Sequence, residues 1–130
     1  MKLIKTTNKV GDVLFIQVNK VDYVFAHRTG NTNISAEKQS RCLASGETLD
    51  VIVDKLKKAG VKLIKLTASE DGDCRKGDPI YVNPLLLIDI GVTRTKTGLI
   101  GFLNDNYCVT ESIEQIIALI GEQGINIEEY

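Results

Sequence analysis

The 130-residue sequence is poor in the side chains that catalytic and base-stacking sites most often use. It contains no Trp, one His, two Pro and 5% aromatic residues, and its formal net charge is -1. Proton transfer most often uses His, and single-stranded nucleic acids usually stack on aromatic rings. A near-neutral charge also argues against a dedicated polyanion binder, which is normally basic. With 43% hydrophobic and 25% charged residues, the composition is that of a globular domain and excludes a disordered or collagen-like chain.

Long apolar runs are absent as well. Residues 1–7 carry no apolar core of the length that a signal peptide needs, and no run approaches the roughly 18–20 apolar residues of a membrane span. The three cysteines, Cys42, Cys74 and Cys108, are an odd number without a Cys-x-x-Cys spacing, which favours reduced thiols over a disulfide framework. We therefore expect a protein that is made in the cytoplasm and has no membrane partner. Incorporation into a virion is one expected fate of such a protein.

Few residues suit metal binding or nucleophilic catalysis. The three cysteines and His27 match the composition of a Cys3His zinc site and also that of a Cys–His dyad, but they lack the close ligand pairs from which structural zinc sites start. The acidic stretch 70–78 lacks the ligand series of an EF-hand, and a helix N-terminus explains Glu111 and Glu114. No nucleotide-binding, zinc-protease or serine-hydrolase motif occurs. We assign no catalytic residue, metal ligand or cofactor, and we expect the protein not to be an enzyme.

An ordered series of similar blocks divides the sequence into two units. Residues 2–5 recur 60 positions later, the block 16–24 recurs 64 positions later, and the block 43–49 recurs again at 60 positions. The slips between blocks fall in polar, glycine-containing stretches, where insertions are tolerated. This pattern predicts a tandem duplication. The predicted divisions are a first unit 1–60, a second unit 61–123 and a C-terminal tail 124–130.

Each unit has the pattern of several short strands followed by one helix. The predicted strands are 3–6, 14–18, 21–26 and 40–44 in the first unit, and 63–67, 79–82, 86–93 and 99–103 in the second. The first helix is predicted over residues 48–59 with Gly60 as its C′ residue, and the second runs from Thr110 as N-cap to Gly121. The stretch 26–41 is predicted to be a long loop. The predicted fold class is α+β, with two tandem repeats that each consist of a small antiparallel β-sheet and a C-terminal helix.

Charge is divided unequally between the two units. Residues 1–60 contain ten Lys or Arg and six Asp or Glu, whereas residues 61–130 contain six and eleven. This division has two interpretations. Either the basic unit of one copy contacts the acidic unit of the next, or the charges of a solvated surface drifted apart after the duplication. In another interpretation the basic unit binds nucleic acid. Its phosphate groups would then contact Arg28, Lys38 and Arg41 of the long loop and the lysines of the first helix.

The second unit resembles a known family. Residues 64–67, 80–86 and 109–117 resemble the FlbD-like family of small flagellar proteins. In that family, a single unit of short strands is followed by a helix, which is entered through a V-x-E-S-like segment such as residues 109–112. The resemblance implies this architecture for the unit and carries no catalytic residue across.

The sequence favours a non-catalytic structural or assembly subunit, of the kind that decorates a phage capsid as an auxiliary protein. Its expected partners are neighbouring protein subunits, including copies of itself, bound through loops and the C-terminal tail. The candidate partner-binding residues are Arg28, Lys38, Arg41, Arg94, Lys96 and Tyr130. The alternative is a small nucleic-acid-binding or transcription-regulatory protein that uses the basic first unit.

Overall fold

The structure, a computed structural model, describes residues 1–36, 43–103 and 105–130. Within these residues the strands are β1 (Leu3–Thr7), β2 (Val13–Gln17), β3 (Val21–Ala26), β4 (Thr32–Ala36), β5 (Leu43–Ser45), β6 (Ile64–Thr67), β7 (Pro79–Val82), β8 (Asp89–Val92), β9 (Gly98–Gly101) and β10 (Asn106–Val109). The helices are α1 (Leu49–Lys58) and α2 (Ile113–Glu122), with short 3₁₀ helices at Val18–Lys20 and Pro84–Leu86. The described part of the chain is therefore mostly β, with two helices, as an α+β class predicts.

The strands form three antiparallel sheets. β1 and β2 form a hairpin, β8, β9 and β10 form a sheet in the order β10-β9-β8, and a five-stranded sheet has the order β5-β4-β3-β7-β6. In the last sheet β3 pairs with β7, so that Val24 lies opposite Tyr81. Because β3 precedes α1 and β7 follows it, this sheet takes strands from both predicted units. The prediction of a separate sheet in each unit is wrong in this respect.

The three sheets adjoin one another at the ends of their strands. After β5, the N–H of Gly46 donates to the Thr7 carbonyl of β1 at 2.7 Å, and after β10 the N–H of Thr110 donates to the Thr67 carbonyl of β6 at 2.9 Å. These hydrogen bonds place β5 beside β1 and β10 beside β6. The series of neighbouring strands in the described chain is therefore β2-β1-β5-β4-β3-β7-β6-β10-β9-β8, with β2 and β8 at its two ends.

Strand β3 lies between two hydrophobic cores. Tyr23 and Phe25 enter one core, together with residues of β6, β7, β9 and α2, whereas Val21 and Val24 enter the other with residues of β1, β4 and α1. Successive strand residues point to opposite faces, so a strand that is buried on both faces needs an almost continuous apolar run. The Tyr23 hydroxyl also donates to Asp105 Oδ2 at 2.8 Å, which fixes its ring in the second half of the chain.

The helices follow their capping residues. α1 begins after Thr48, whose side chain accepts a hydrogen bond from the Val51 N–H, and it ends before Gly60 at φ +94°, as predicted. For α2 the predicted limits Thr110 and Gly121 are wrong. Ser112 is the N-cap because Gln115 completes a capping box with it, and the helix continues through Gly121 to Glu122. Each described helix contains ten residues, and neither is long and apolar enough to cross a membrane.

The strand predictions differ from the structure at four places, one of which is β10, a strand that none of the predicted ranges covers. The predicted loop 26–41 contains β4, which begins after a tight turn closed by a hydrogen bond of 2.7 Å from the His27 N–H to the Asn31 carbonyl. The predicted strand 40–44 overlaps β5 at its end, and its earlier residues lie outside the described ones. The predicted strand 86–93 is reduced to β8, because Pro84 and the Asn83 side chain start a 3₁₀ helix before it.

Candidate interaction surface

The structure places the predicted partner-binding arginines and lysines on different sheets. Arg28 lies in the turn between β3 and β4, whereas Arg94 and Lys96 lie in the turn between β8 and β9. All three side chains are exposed, and Lys96 has the left-handed φ of 65°. Lys38 and Arg41 lie outside the described residues. Arg28, Arg94 and Lys96 are therefore available as surface charges, and the strand order separates the turn of Arg28 from that of the other two.

The turn that carries Arg28 is bound to the acidic stretch 70–78. The Arg28 N–H donates to the Asp73 carbonyl at 3.0 Å, and Nη2 of Arg75 donates to the Arg28 carbonyl at 3.2 Å. His27 Nε2 lies 3.4 Å from Asp73 Oδ1. The acidic stretch thus supports a turn of the first half. Within the described residues, no group of three or more His, Cys, Asp or Glu side chains could hold a metal ion.

The C-terminal tail is partly attached to the molecule. Ile125 packs against the core that contains α2, so the tail contacts its own unit at this residue. Tyr130 is fully exposed at the end of the tail, and its hydroxyl donates to Glu128 Oε2 at 2.6 Å. This hydrogen bond raises the pKa of Tyr130, because it is made by the protonated phenol. Tyr130 is consequently a neutral, exposed ring.

An apolar groove lies between β8, α2 and the tail. It has a volume of about 330 Å³, and we call it the isoleucine groove. Six isoleucines line it beside Pro84, Leu87 and Asp89, namely Ile88, Ile90, Ile117, Ile120, Ile125 and Ile127. The sequence analysis did not identify this groove, although Ile88 and Ile90, and again Ile125 and Ile127, alternate as they do in a strand with one apolar face.

A second apolar surface lies on the outer side of the β1–β2 hairpin. Leu3, Val13 and Phe15, here called the hairpin face, are between 50% and 64% exposed, whereas Ile4 and Ile16 of the same strands are buried. Alternation along a strand sends these two sets to opposite faces. The hairpin face belongs to β1 and β2, at one end of the strand series, and the isoleucine groove is bounded by β8 at the other.

No protein-family model matches the chain, and no curated protein or solved structure shows significant similarity to it. The geometry of the described residues therefore carries the functional argument.

A partly buried polar cluster connects β1, β5 and α1. The Thr6 hydroxyl lies 2.5 Å from the Ser45 hydroxyl and 2.6 Å from Glu47 Oε2, and Lys55 Nζ donates to Glu47 Oε1 at 2.8 Å. The hydrogen bond from Lys55, followed by that from Thr6, lowers the pKa of Glu47. Because Ser45 is fully buried, its hydroxyl has no access to a substrate. The cluster thus links α1 to strand β1 of the hairpin through hydrogen bonds.

The described cysteines are protonated thiols at neutral pH. Burial, with a smaller contribution from Asp78, raises the pKa of Cys74 to about 11. Burial and the neighbouring Glu70 also raise the pKa of Cys108. A thiolate is the form that attacks an electrophile or binds a metal, so both environments disfavour such chemistry. Cys42, the third cysteine of the sequence-based zinc hypothesis, lies outside the described residues.

Proposed function

We propose that the protein is a non-catalytic structural or assembly subunit that binds neighbouring protein subunits through its apolar sheet edges. The supporting observation is the pair of exposed apolar surfaces, the hairpin face and the isoleucine groove, at the two ends of the strand series. Apolar side chains gathered beside unpaired strands are a feature of protein–protein interfaces. The tail contributes Ile125 and Ile127 to one of these surfaces.

The chain is further proposed to be a tandem duplication, and the strand pairing supports this origin. Ala26 pairs with Thr32 and Val92 pairs with Gly98, so the β3–β4 and β8–β9 pairs stand 66 positions apart. The turns inside these pairs contain the same hydrogen bonds, from residue 27 to 31 and from 30 to 27 in the first, and from 93 to 97 and from 96 to 93 in the second.

The same comparison supports a different alignment from the one predicted. Ile4 pairs with Ile16, and Ile64 pairs with Val82, so β1 and β6 stand 60 positions apart whereas β2 and β7 stand 66 apart. The N-caps of the two helices, at residues 48 and 112, stand 64 apart. The supported spacings are therefore 60, 66 and 64, in place of the 60, 64 and 60 that the sequence blocks indicate.

Within the class of assembly subunits, the specific proposal is an auxiliary protein that decorates a phage capsid. Two similar units in one chain provide two similar sets of turns and edges, which suits contact with several neighbours in a repetitive shell. The exposed charges of Arg94 and Lys96 and the exposed ring of Tyr130 lie outside the two apolar surfaces and are proposed to contact the polar rim of such an interface.

Sedimentation of lysates from the cells that naturally make the protein tests this proposal. We expect the chain to co-sediment at a fixed stoichiometry with one large particle. The substitution Ile127→Glu in the isoleucine groove should abolish co-sedimentation, whereas Val10→Glu, in an exposed turn, should leave it unchanged. Recovery of the wild-type chain only in the slowly sedimenting fractions would contradict an assembly role.

The nucleic-acid alternative has weaker support, because lysines of α1 are engaged within the chain. Lys55 Nζ lies 2.8 Å from Glu47 Oε1, and Lys58 Nζ lies 2.9 Å from Asp54 Oδ2. Each such pair removes net charge that would otherwise attract phosphates. A filter-binding assay over a salt titration decides between the two functions, since salt-dependent retention of DNA or RNA would favour the alternative.

A further inference from the structure

In the series of neighbouring strands formed by the described residues, two outer edges have no strand beside them. They are the outer edge of β2, which pairs with β1 alone, and the outer edge of β8, which pairs with β9 alone. An unpaired edge presents a row of backbone N–H and C=O groups that can pair with another chain. The hairpin face lies beside the first edge and the isoleucine groove beside the second. Both edges thus combine backbone groups with exposed apolar side chains.

The chain contains an internal junction between the equivalents of these two edges. By the spacing of the repeat, β3 corresponds to β8 and β7 corresponds to β2. β3 and β7 pair antiparallel with Val24 opposite Tyr81. Asn83 extends the junction, because its N–H donates to the Asp22 carbonyl at 2.8 Å and its Nδ2 donates to the Val21 carbonyl at 3.1 Å. The β3–β7 junction is therefore a formed example, within the chain, of the contact that the outer edges of β2 and β8 lack among the described residues.

Two positions of the hairpin face, Leu3 and Phe15, have equivalents that pack in or against the core of the first half. Leu63 is 4% exposed, whereas its equivalent Leu3 is 50% exposed. Tyr81 packs against the core of the first half, with Lys57 Nζ 5.9 Å from the centre of its ring. Its equivalent, Phe15, points away from the core and is 64% exposed. The two positions that are packed in the second unit are therefore exposed to solvent on the hairpin of the first unit.

The isoleucine groove shows the complementary difference. Val53 of α1, in the core against which Tyr81 packs, is 7% exposed, whereas its equivalent on α2, Ile117, is 41% exposed. The position equivalent to Lys57 is Gly121, where an added Cβ would meet nothing within 4 Å. The groove thus has the apolar lining of the covered surface and open space where a covering strand would lie.

We propose that β2 of one copy pairs with β8 of a second copy and so repeats the β3–β7 junction between molecules. The occupant of the isoleucine groove is then the hairpin face of the neighbouring copy, with Phe15 in the position that Tyr81 holds internally. The association is head-to-tail, because the two edges are different. The inference rests on the assembly role and the duplication proposed above, and it names the partner as a second copy. The internal register fixes the intermolecular pairs as Phe15 with Ile90, Leu14 with Gly91 and Ile16 with Asp89.

The distribution of charge favours this orientation. β2 belongs to the half with ten basic and six acidic residues, whereas β8 belongs to the half with six and eleven. A head-to-tail contact places opposite net charges together, whereas a contact between two identical edges places like charges together. Salt screens charges over about 8–10 Å at physiological ionic strength, so we expect the association to weaken as salt rises.

Sedimentation velocity of the purified full chain, over a range of protein and salt concentrations, tests the proposal. The wild-type chain should form oligomers that increase with concentration. Phe15→Glu blocks the β2 side and Ile117→Lys blocks the β8 side, so each variant alone should associate at least about 30-fold more weakly, as expected for a buried interface centre. An equimolar mixture of the two variants should form a 1:1 dimer, because it contains one intact edge of each kind.

Matched controls separate the interface from general surface changes. Val51→Lys changes an α1 residue that is as exposed as Ile117, and Val10→Glu changes an exposed residue near β2, so both variants should associate like the wild type. Circular dichroism and thermal unfolding confirm that each variant is folded. A wild-type chain that stays monomeric at every concentration would overturn the proposal. So would loss of association in Phe15→Glu combined with full association of Ile117→Lys, which would indicate pairing between two identical edges.

Sedimentation of the purified chain tests head-to-tail pairing, whereas sedimentation of cell lysates tests the assembly role. A purified chain that stays monomeric, but that co-sediments with a particle in lysates, would overturn head-to-tail pairing and retain the assembly role. A purified chain that associates through β2 and β8, but that is absent from large particles in lysates, would retain the pairing and overturn the particle proposal.

Discussion

Gly98 begins β9 at a position where the fold leaves no room for a side chain. An added Cβ would overlap the Glu111 carbonyl oxygen and would lie 3.0 Å from Cγ2 of Val109. The carbonyl belongs to the main chain just before the α2 cap, so it cannot rotate away as a side chain would. The position 66 residues earlier is Thr32, whose Oγ1 donates to the Glu47 carbonyl at 2.7 Å. A hydrogen-bonding side chain in the first half is thus replaced by close backbone packing in the second.

We expect Gly98→Ala to lower the free energy of unfolding by about 1–3 kcal/mol, the usual cost of overpacking. The upper part of that range applies because a main-chain atom has to move. The matched control is Gly91→Ala in the neighbouring strand β8, where an added Cβ meets nothing within 4 Å. Alanine there should be neutral or should stabilise the protein by up to about 1 kcal/mol, because the unfolded chain loses conformational freedom.

Urea unfolding followed by circular dichroism measures both variants at one low protein concentration. Linear extrapolation gives the two free energies, and the structure predicts a difference of about 2–4 kcal/mol between them. In a thermal melt, each kcal/mol corresponds to roughly 3–5 °C for a chain of this size. Equal midpoints for Gly98→Ala and Gly91→Ala would refute the reasoning, because the two substitutions differ only in what the new methyl group meets.

Three other predictions concern single polar side chains. Tyr23→Phe removes the hydrogen bond of 2.8 Å to Asp105 and should lower the free energy of unfolding by about 1–2 kcal/mol in urea; an unchanged value would contradict a contribution of this bond. Because the pKa of Glu47 is lowered in the folded protein, its ionised carboxylate stabilises the fold above the ordinary carboxyl pKa. This stabilisation is lost as the pH falls through the lowered pKa. Glu47→Gln should therefore flatten the acid side of the stability profile between pH 3 and 7, and a parallel profile would refute this linkage. Burial raises the pKa of Cys74 to about 11, so mass spectrometry should show its alkylation at pH 8 to be much slower in the native protein than in urea, and equal rates would count against its burial.

The helices were predicted well because their information is local. Ile52, Val53 and Leu56 lie on one face of α1, and Gly60 ends it in a conformation that glycine adopts easily. The start of α2 was misplaced by two residues, because Thr110 and Ser112 are both good N-caps. The deciding feature was the side chain of Gln115, three residues after Ser112, which closes the capping box.

The sheets were predicted less well because strand pairing is not local. β4 is a strand despite Asn33 and Ser35, since its partners on both sides, β3 and β5, supply the backbone hydrogen bonds. The pairing of β3 with β7 joins residues almost 60 positions apart, which no local pattern reports. The apolar run of β3 fits a strand that is buried on both faces, but it does not indicate which strand lies beside it.

The isoleucine groove was missed for a related reason. Ile116, Ile117 and Ile120 form one apolar stripe in the sequence of α2, and periodicity alone assigns all three to a core. In the structure Ile116 and Ile120 are buried, whereas Ile117 is 41% exposed, because no strand in the described part of the chain covers the outer side of the stripe. Whether an isoleucine faces a core or an open groove depends on the neighbouring strand, and this information lies outside the helix.

The β3–β7 pairing also has a consequence for synthesis of the chain. β3 is complete at Ala26, but its partner β7 extends from Pro79 to Val82. At about 5–20 residues per second, the ribosome needs about 3–11 s to add the intervening residues. During that interval β3 has no β7 with which to pair, and the core beside it lacks the side chains that β7 supplies. A product that terminated at Gly60 would never contain this partner, so its β3 would keep an unpaired edge, which is a feature that favours aggregation.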